Sequence, residues 1–199
     1  MRMQRWMVVP LGIALAACAG QRRAQAPADP YRTLAEARTL YTQKNEPAAA
    51  ERRLRDAIAA FHADNDEKGL ADAYHQYAYF LESPTVARAE KTYRKVGFLD
   101  SSVTFDNRLQ KSVAYFDRAA PIYARLKRFD KLTENNVGRG IVFANLANRD
   151  EACASFDQAD SFHEESERRN PDAKPPLPSG FKTWDGYLAS LKKWAGCGG

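Results

Sequence analysis

The sequence predicts an all-α protein, a short solenoid of about three helical hairpins, and three observations carry that prediction. Ala, Leu, Arg, Glu and Lys dominate Leu34 to Phe61, with apolar residues at helical spacing. No run of alternating Val, Ile or Thr survives for more than a few residues, so strands have almost no signal. A small–x3–large–x2–small spacing recurs as Ala50, Leu54, Ala57, then Ser112, Phe116, Ala119, then Ala152, Phe156, Ala159. Helices approach closely only where a bulky side chain is absent, and the large residue then fills the facing groove. One helix pair cannot bury its apolar face alone, whereas three stacked pairs can.

In chain order, Arg2 and Arg5 form a basic start, Trp6 to Ala17 is an apolar run, and small residues precede Cys18. The run is too short for a permanent membrane helix and reads as a secretion signal over residues 1–17. Leu15, Ala16, Ala17 and Cys18 resemble a bacterial lipobox. That resemblance implies cleavage before Cys18, a lipid-modified amino terminus, and membrane anchoring by several acyl chains at about 0.8 kcal/mol per buried methylene. Ala19, in place of Asp, is similar to lipoproteins sent on to the outer membrane, facing the periplasm. Residues 18–30 lack apolar periodicity and are expected to be a tether. Without Arg2 and Arg5 the remaining chain holds 28 basic residues against 25 acidic ones, a balance that is no nucleic-acid signature.

From residue 31 the chain is expected to form one helical domain reaching residue 199. Leu34, Ala37 and Tyr41 lie on the first helix, and Asn45, Glu46 and Pro47 make its turn, because proline starts a helix comfortably. Ala50, Leu54 and Ala57 follow on the second. Asp64 to Gly69 make the next turn; its Asp-x-Asp order is rejected as a calcium loop because Lys68 takes a ligand position and His75 stands where a bidentate Glu belongs. Tyr74, Tyr77, Ala78 and Leu81 supply the first helix of a second pair, whose partner carries Ser112, Phe116 and Ala119. Gly140, Phe143, Ala152, Phe156 and Ala159 form the third. This spacing resembles the tetratricopeptide repeat, a 34-residue helix–turn–helix unit whose pattern includes Gly-x2-Tyr and Ala-x3-Phe. The family's Trp and closing Pro are absent from all three units, and Arg38 and Arg139 stand where it prefers Gly and Leu. The third unit also registers two residues earlier, on Val137, Gly138 and Ile141. An ordinary antiparallel bundle with alanine-rich interfaces is the other reading of the residues.

Residues 83–108 interrupt the second pair. They contain a short helical piece, Val86 to Val96, and a loop in which Phe98, Leu99, Val103 and Phe105 must find burial. They either pack over the gap between units or form a lip of the binding groove. Pro121 is expected to kink its helix or end its regular bonding. Asn170 to Gly180 is proline-rich and closes the repeat region. Residues 181–195 then place Trp184, Leu188, Leu191 and Ala195 on one face, either a capping helix over the last pair or a helix lying on the membrane. With Cys18 lipidated, Cys153 and Cys197 remain in an oxidising compartment, and a bridge between them would pin the carboxyl terminus to the third unit.

Catalytic and metal chemistry find no motif. His62, His75 and His163 lack paired ligand spacing, Glu164 and Glu165 diverge on their helix, and there is no phosphate loop or nucleophile elbow. No catalytic residue, metal or cofactor is expected. The resemblance implies a concave surface that by family position includes Arg32, Thr39, Asp72, His75 and Tyr79, with Asn135 and Arg139 if the earlier register holds. The implied role is an adaptor that holds an envelope protein or peptide segment near the outer membrane. The alternative is a periplasmic receptor for a small ligand or cell-wall fragment, which needs an enclosed pocket.

Overall fold

The computed structural model describes residues 29–170 and 177–198. The signal segment, Cys18 and the tether up to residue 28 lie outside the described residues. Among those described there is no strand, and nine helices run in order: α1 Pro30–Thr42, α2 Pro47–Ala63, α3 Glu67–Glu82, α4 Pro84–Arg88, α5 Glu90–Val96, α6 Arg108–Arg125, α7 Phe129–Asn145, α8 Arg149–Arg169 and α9 Trp184–Trp194. None of them is long and apolar enough to cross a membrane.

Local chemistry explains the boundaries. Asp29 accepts from the Tyr31 amide and Pro30 opens α1, while Pro47 opens α2. Asp66 caps α3 by accepting from Gly69, so the second turn is shorter than the sequence suggests and α3 begins at Glu67. Ser83 ends α3 and caps α4 through its hydroxyl. Four of the turns between helices pass through a left-handed residue, Asn45, Asn65, Lys127 and Ala147. Three of these turns close alike, with Asp66, Arg128 and Asn148 amides donating to Phe61, Tyr123 and Phe143 carbonyls at 2.9–3.0 Å. Pro121 does not end α6, which continues to Arg125.

The packing forms three pairs, α1 with α2, α3 with α6, and α7 with α8. Successive pairs join through α2 on α3 and α6 on α7. All nine residues of the recurring small–large–small spacing have no exposed surface. Both registers of the third pair mark real contacts. A Cβ on Gly138 would stand 2.5 Å from the Phe116 ring of α6, and one on Gly140 would stand 2.5 Å from the Phe156 ring of α8. Gly138 thus serves the neighbouring pair and Gly140 its own. At about 25 cal/mol per Å² of buried apolar surface, the aromatic rings in these seams supply much of the core's stabilisation.

The interruption is two helices, not the one piece expected, because α4 and α5 break at Ala89. Its apolar residues settle against the core. Phe98 stacks on Tyr93 at 4.0 Å, and Phe98, Val103 and Phe105 are buried while Leu99 stays exposed. Glu51 of α2 accepts from the Leu99 amide at 2.8 Å and from Tyr77 Oη at 2.9 Å, and Asp100 accepts from Tyr115 Oη. The segment is therefore tied to the α2–α3–α6 side. It does not form a lip over His75 and Tyr79.

At the other end α9 covers α8. Leu188 is buried against Ala152 and Phe156, with Trp184, Leu191 and Ala195 beside it. Trp184 stacks on His163 at 4.2 Å and its Nε1–H donates to Asp160 at 2.8 Å. The apolar face of α9 is thus spent on the last pair, as a cap requires. Cys153 and Cys197 are joined by a disulfide.

Candidate functional site

A cleft of about 860 Å³ lies where α1, α3 and α7 meet the carboxyl-terminal segment. Its floor comes from α3, where His75, Tyr79 and Glu82 follow one another at helical spacing. Tyr41 and Arg38 line it from α1, Lys131 and Glu134 from α7, and Thr85 and Arg88 from α4. Leu177, Pro178, Trp184 and Tyr187 form the outer wall. That wall depends on α9, so the cap over the third pair also shapes the cleft.

His75 is buried at the centre of an aromatic cluster, with ring centres 4.8 Å from Tyr79, 5.5 Å from Phe116 and 5.9 Å from Tyr123. Burial pushes its imidazole down to about 4, so it is neutral at ordinary pH. Asn135 donates through Nδ2 to the Phe116 carbonyl at 3.1 Å, which turns its Oδ1 to His75 Nδ1 at 3.2 Å. The acceptor on that side assigns the proton to Nδ1. The Glu134 carboxylate stands 3.9 Å from Nε2, beyond hydrogen-bonding distance, so the arrangement positions a rigid ring.

Tyr79 donates to the Glu134 carbonyl at 3.0 Å, and burial raises its phenol well above the ordinary value. Tyr41 donates to Gln76 Oε1 at 2.9 Å, and burial raises it to about 12. Lys131 is held by Glu134 at 2.8 Å. Arg88 is held by Asn45 at 2.9 Å and by Thr85 Oγ1 at 3.1 Å. Glu82 differs from all of these. Its carboxyl is pushed up to about 7 by burial, with no donor or cation acting on it among the described residues.

The seven residues expected from the repeat pattern divide. His75 and Tyr79 line the cleft, and Asp72 joins His75 in a smaller adjoining hollow of about 240 Å³. Asn135 is buried behind His75. Arg32 pairs with Glu36 at 3.0 Å, and Thr39 donates to the Ala35 carbonyl of its own helix at 3.2 Å; neither lines the cleft. Arg139 turns away, bonding Ser155 at 2.8 Å and Asp117 at 3.0 Å and lying over Phe143. Sequence reasoning did not place Tyr41, Glu82, Trp184 or Tyr187 at the site; Tyr41 and Trp184 entered only as helix-packing residues. Glu82 was within reach, because Asp72, His75, Tyr79 and Glu82 step three, four and three residues along a single helix face.

Among the described residues no cluster of His, Cys, Asp or Glu could hold a metal ion. No protein-family model matches the chain, and no curated protein or solved structure is significantly similar to it.

Proposed function

We propose that this protein is a lipid-anchored adaptor of the bacterial envelope, built on tetratricopeptide-like helix pairs, that binds a partner segment without chemistry. The observation that carries the reading is the cleft across α1, α3 and α7, in which aromatic and charged side chains of three helix pairs and the cap converge. The succession of pairs supports the repeat reading, since each recurring small–large–small element is fully buried. Anchoring rests on the sequence around Cys18, and a periplasmic setting agrees with the Cys153–Cys197 bridge.

A second reading, a receptor for a small ligand or cell-wall fragment, gains from Leu177, Pro178, Trp184 and Tyr187. They wall the cleft on one side, where an open groove would run past a long peptide. The deciding experiment places photoreactive residues in living cells at Tyr79 and Tyr187 in the cleft and at Leu99 outside it. Capture of one envelope protein from Tyr79 and Tyr187 but not from Leu99 supports the adaptor. An abundant, folded protein that captures nothing moves the assignment to the receptor. Anchoring is tested apart from this, because Cys18→Ser should release the protein from membranes and continued membrane association removes the lipid claim.

A further inference from the structure

A half-buried cleft carboxyl with no hydrogen-bond or ion-pair partner among the described residues points to the chemistry of the ligand, an inference that rests on the cleft being the binding site. Glu82 is the last residue of α3 and stands among tyrosines. It acts on both Tyr41 and Tyr79, and Tyr187 in turn acts on Tyr79. Trp184 and Tyr187 of the outer wall pack edge to face at 6.0 Å. The cations nearby are engaged or peripheral: Glu134 holds Lys131, Asn45 and Thr85 hold Arg88, and Arg38 is exposed on α1. None of them pairs with Glu82.

A half-buried carboxyl beside electron-rich rings attracts an organic cation twice, through the charge and through the ring quadrupoles. The rings also offer apolar surface to a hydrocarbon stem. An anionic ligand would meet the carboxylate, with exposed Arg38 the one cleft cation among the described residues that no other side chain engages. We infer that the cleft takes an alkyl ammonium group, its nitrogen against the Glu82 carboxylate and its stem among Tyr79, Trp184 and Tyr187. A lysine side chain of a partner segment and a small aliphatic amine share this chemistry.

The titratable and charged groups that line the cleft with Glu82, among the described residues, are Arg38 and Tyr41 of α1, His75 and Tyr79 of α3, Arg88 of α4, Lys131 and Glu134 of α7, and Tyr187 of α9. His75 is held neutral at about 4, and the three tyrosines keep their protons, so neither kind changes charge between pH 6 and 8. Glu82, at about 7, does. Its ionised fraction rises about tenfold across that range, and ammonium affinity should rise with it.

The test titrates purified full-length protein, in detergent, with pentylammonium and with pentanoate, following the ring signals of Tyr79 and Trp184 by NMR. The peptide acetyl-Ala-Lys-Ala-amide and its norleucine counterpart separate the two sources. Supporting results are tighter binding of pentylammonium or the lysine peptide by at least tenfold over pentanoate or the norleucine peptide, and about tenfold tighter binding at pH 8 than at pH 6. Glu82→Gln should abolish both differences while remaining folded at pH 8. Lysine-peptide binding alone assigns the ammonium to a protein partner, and pentylammonium binding alone assigns it to a small amine. Equal binding of pentylammonium and pentanoate, unchanged preference in Glu82→Gln, or no binding of either ammonium probe overturns the inference. Capture of a partner from Tyr79 in cells together with rejection of both probes keeps the cleft as the binding site and removes only the ammonium. Probe binding without capture does the reverse for the adaptor.

Discussion

Glu51 of α2 is a buried carboxyl and Glu82 of α3 a half-buried one, both close to tyrosines of α3, and they have opposite circumstances. Glu51 is 2% exposed, and its Oε1 accepts from Tyr77 Oη and from the Leu99 amide. Burial pushes its carboxyl up, while the bonds from Tyr77 and Leu99 pull it back. Glu82 is subject to burial only. The difference teaches that burial does not by itself mark a functional group. A buried carboxyl with both donors in place is a structural tie, here between the core and the inserted segment; one left without a donor among the described residues, as Glu82 is, stays open to a partner that arrives from outside.

The largest effect should come from breaking the tie. Glu51→Ala orphans the Tyr77 hydroxyl and the Leu99 amide and leaves a void, for a combined loss of about 4 kcal/mol. Urea unfolding measures it, and a loss under about 1 kcal/mol would mean that Glu51 is not a tie.

Cys197→Ser should cost about 3 kcal/mol, and only under oxidising conditions. It bears on the comparison because the carboxyl-terminal segment walls the Glu82 side alone. Loosening that wall lets water in, so the Glu82 carboxyl should fall from about 7 toward its ordinary 4.5 while Glu51 stays raised. Carboxyl-carbon NMR titration reads both, and a Glu82 that does not move would separate the wall from the cleft.

Glu82→Gln should stabilise the protein by about 2 kcal/mol at pH 8. The sign follows from a folded carboxyl at about 7 against an ordinary 4.5. As pH rises from 4.5 the unfolded chain loses this proton first, so the native protein loses stability between pH 4.5 and 7, by at most on the order of 3 kcal/mol. A buried amide keeps part of the burial cost, hence the smaller gain. His75 acts the other way: held at about 4 against an ordinary 6.5, it lets stability fall as pH drops from 6.5 to 4. The two slopes offset each other where they overlap, and Glu82→Gln should expose the acid limb of His75. A variant no more stable than the parent at pH 8 would show that Glu82 has a partner in solution.

The smallest effect sharpens the other half of the comparison. Leu99→Ala should change stability by less than about 0.5 kcal/mol, because its amide holds Glu51 while its side chain is 56% exposed. A loss above 1 kcal/mol would shift the tie from backbone to side chain.

The helix pairs were legible in the sequence because their signal is local: the nine small and large residues sit at fixed spacing, and all are buried. The cap was legible for the same reason, since Trp184, Leu188, Leu191 and Ala195 repeat at helical intervals and pack on α8. The cleft was half legible. His75 and Tyr79 followed from their place on α3, but its outer wall joins residues about a hundred positions away, and no periodicity relates Tyr187 to Tyr79. Arg139 illustrates the opposite failure. Its register pointed inward, yet Asp117 and Ser155 on the flanking helices drew it aside, a competition that only the folded packing decides.

Gly138 and Gly140 set a rule for lengthening the molecule. Helix α7 is pared down toward two neighbours at once, toward Phe116 on α6 and Phe156 on α8. An engineer who duplicated the α7–α8 hairpin alone would set a second Gly138 against whatever ring α8 presents, and would inherit a seam cut for Phe116. The portable module is therefore the three-helix block from Arg108 to Arg169, and a longer array should be grown by that block instead of by the hairpin.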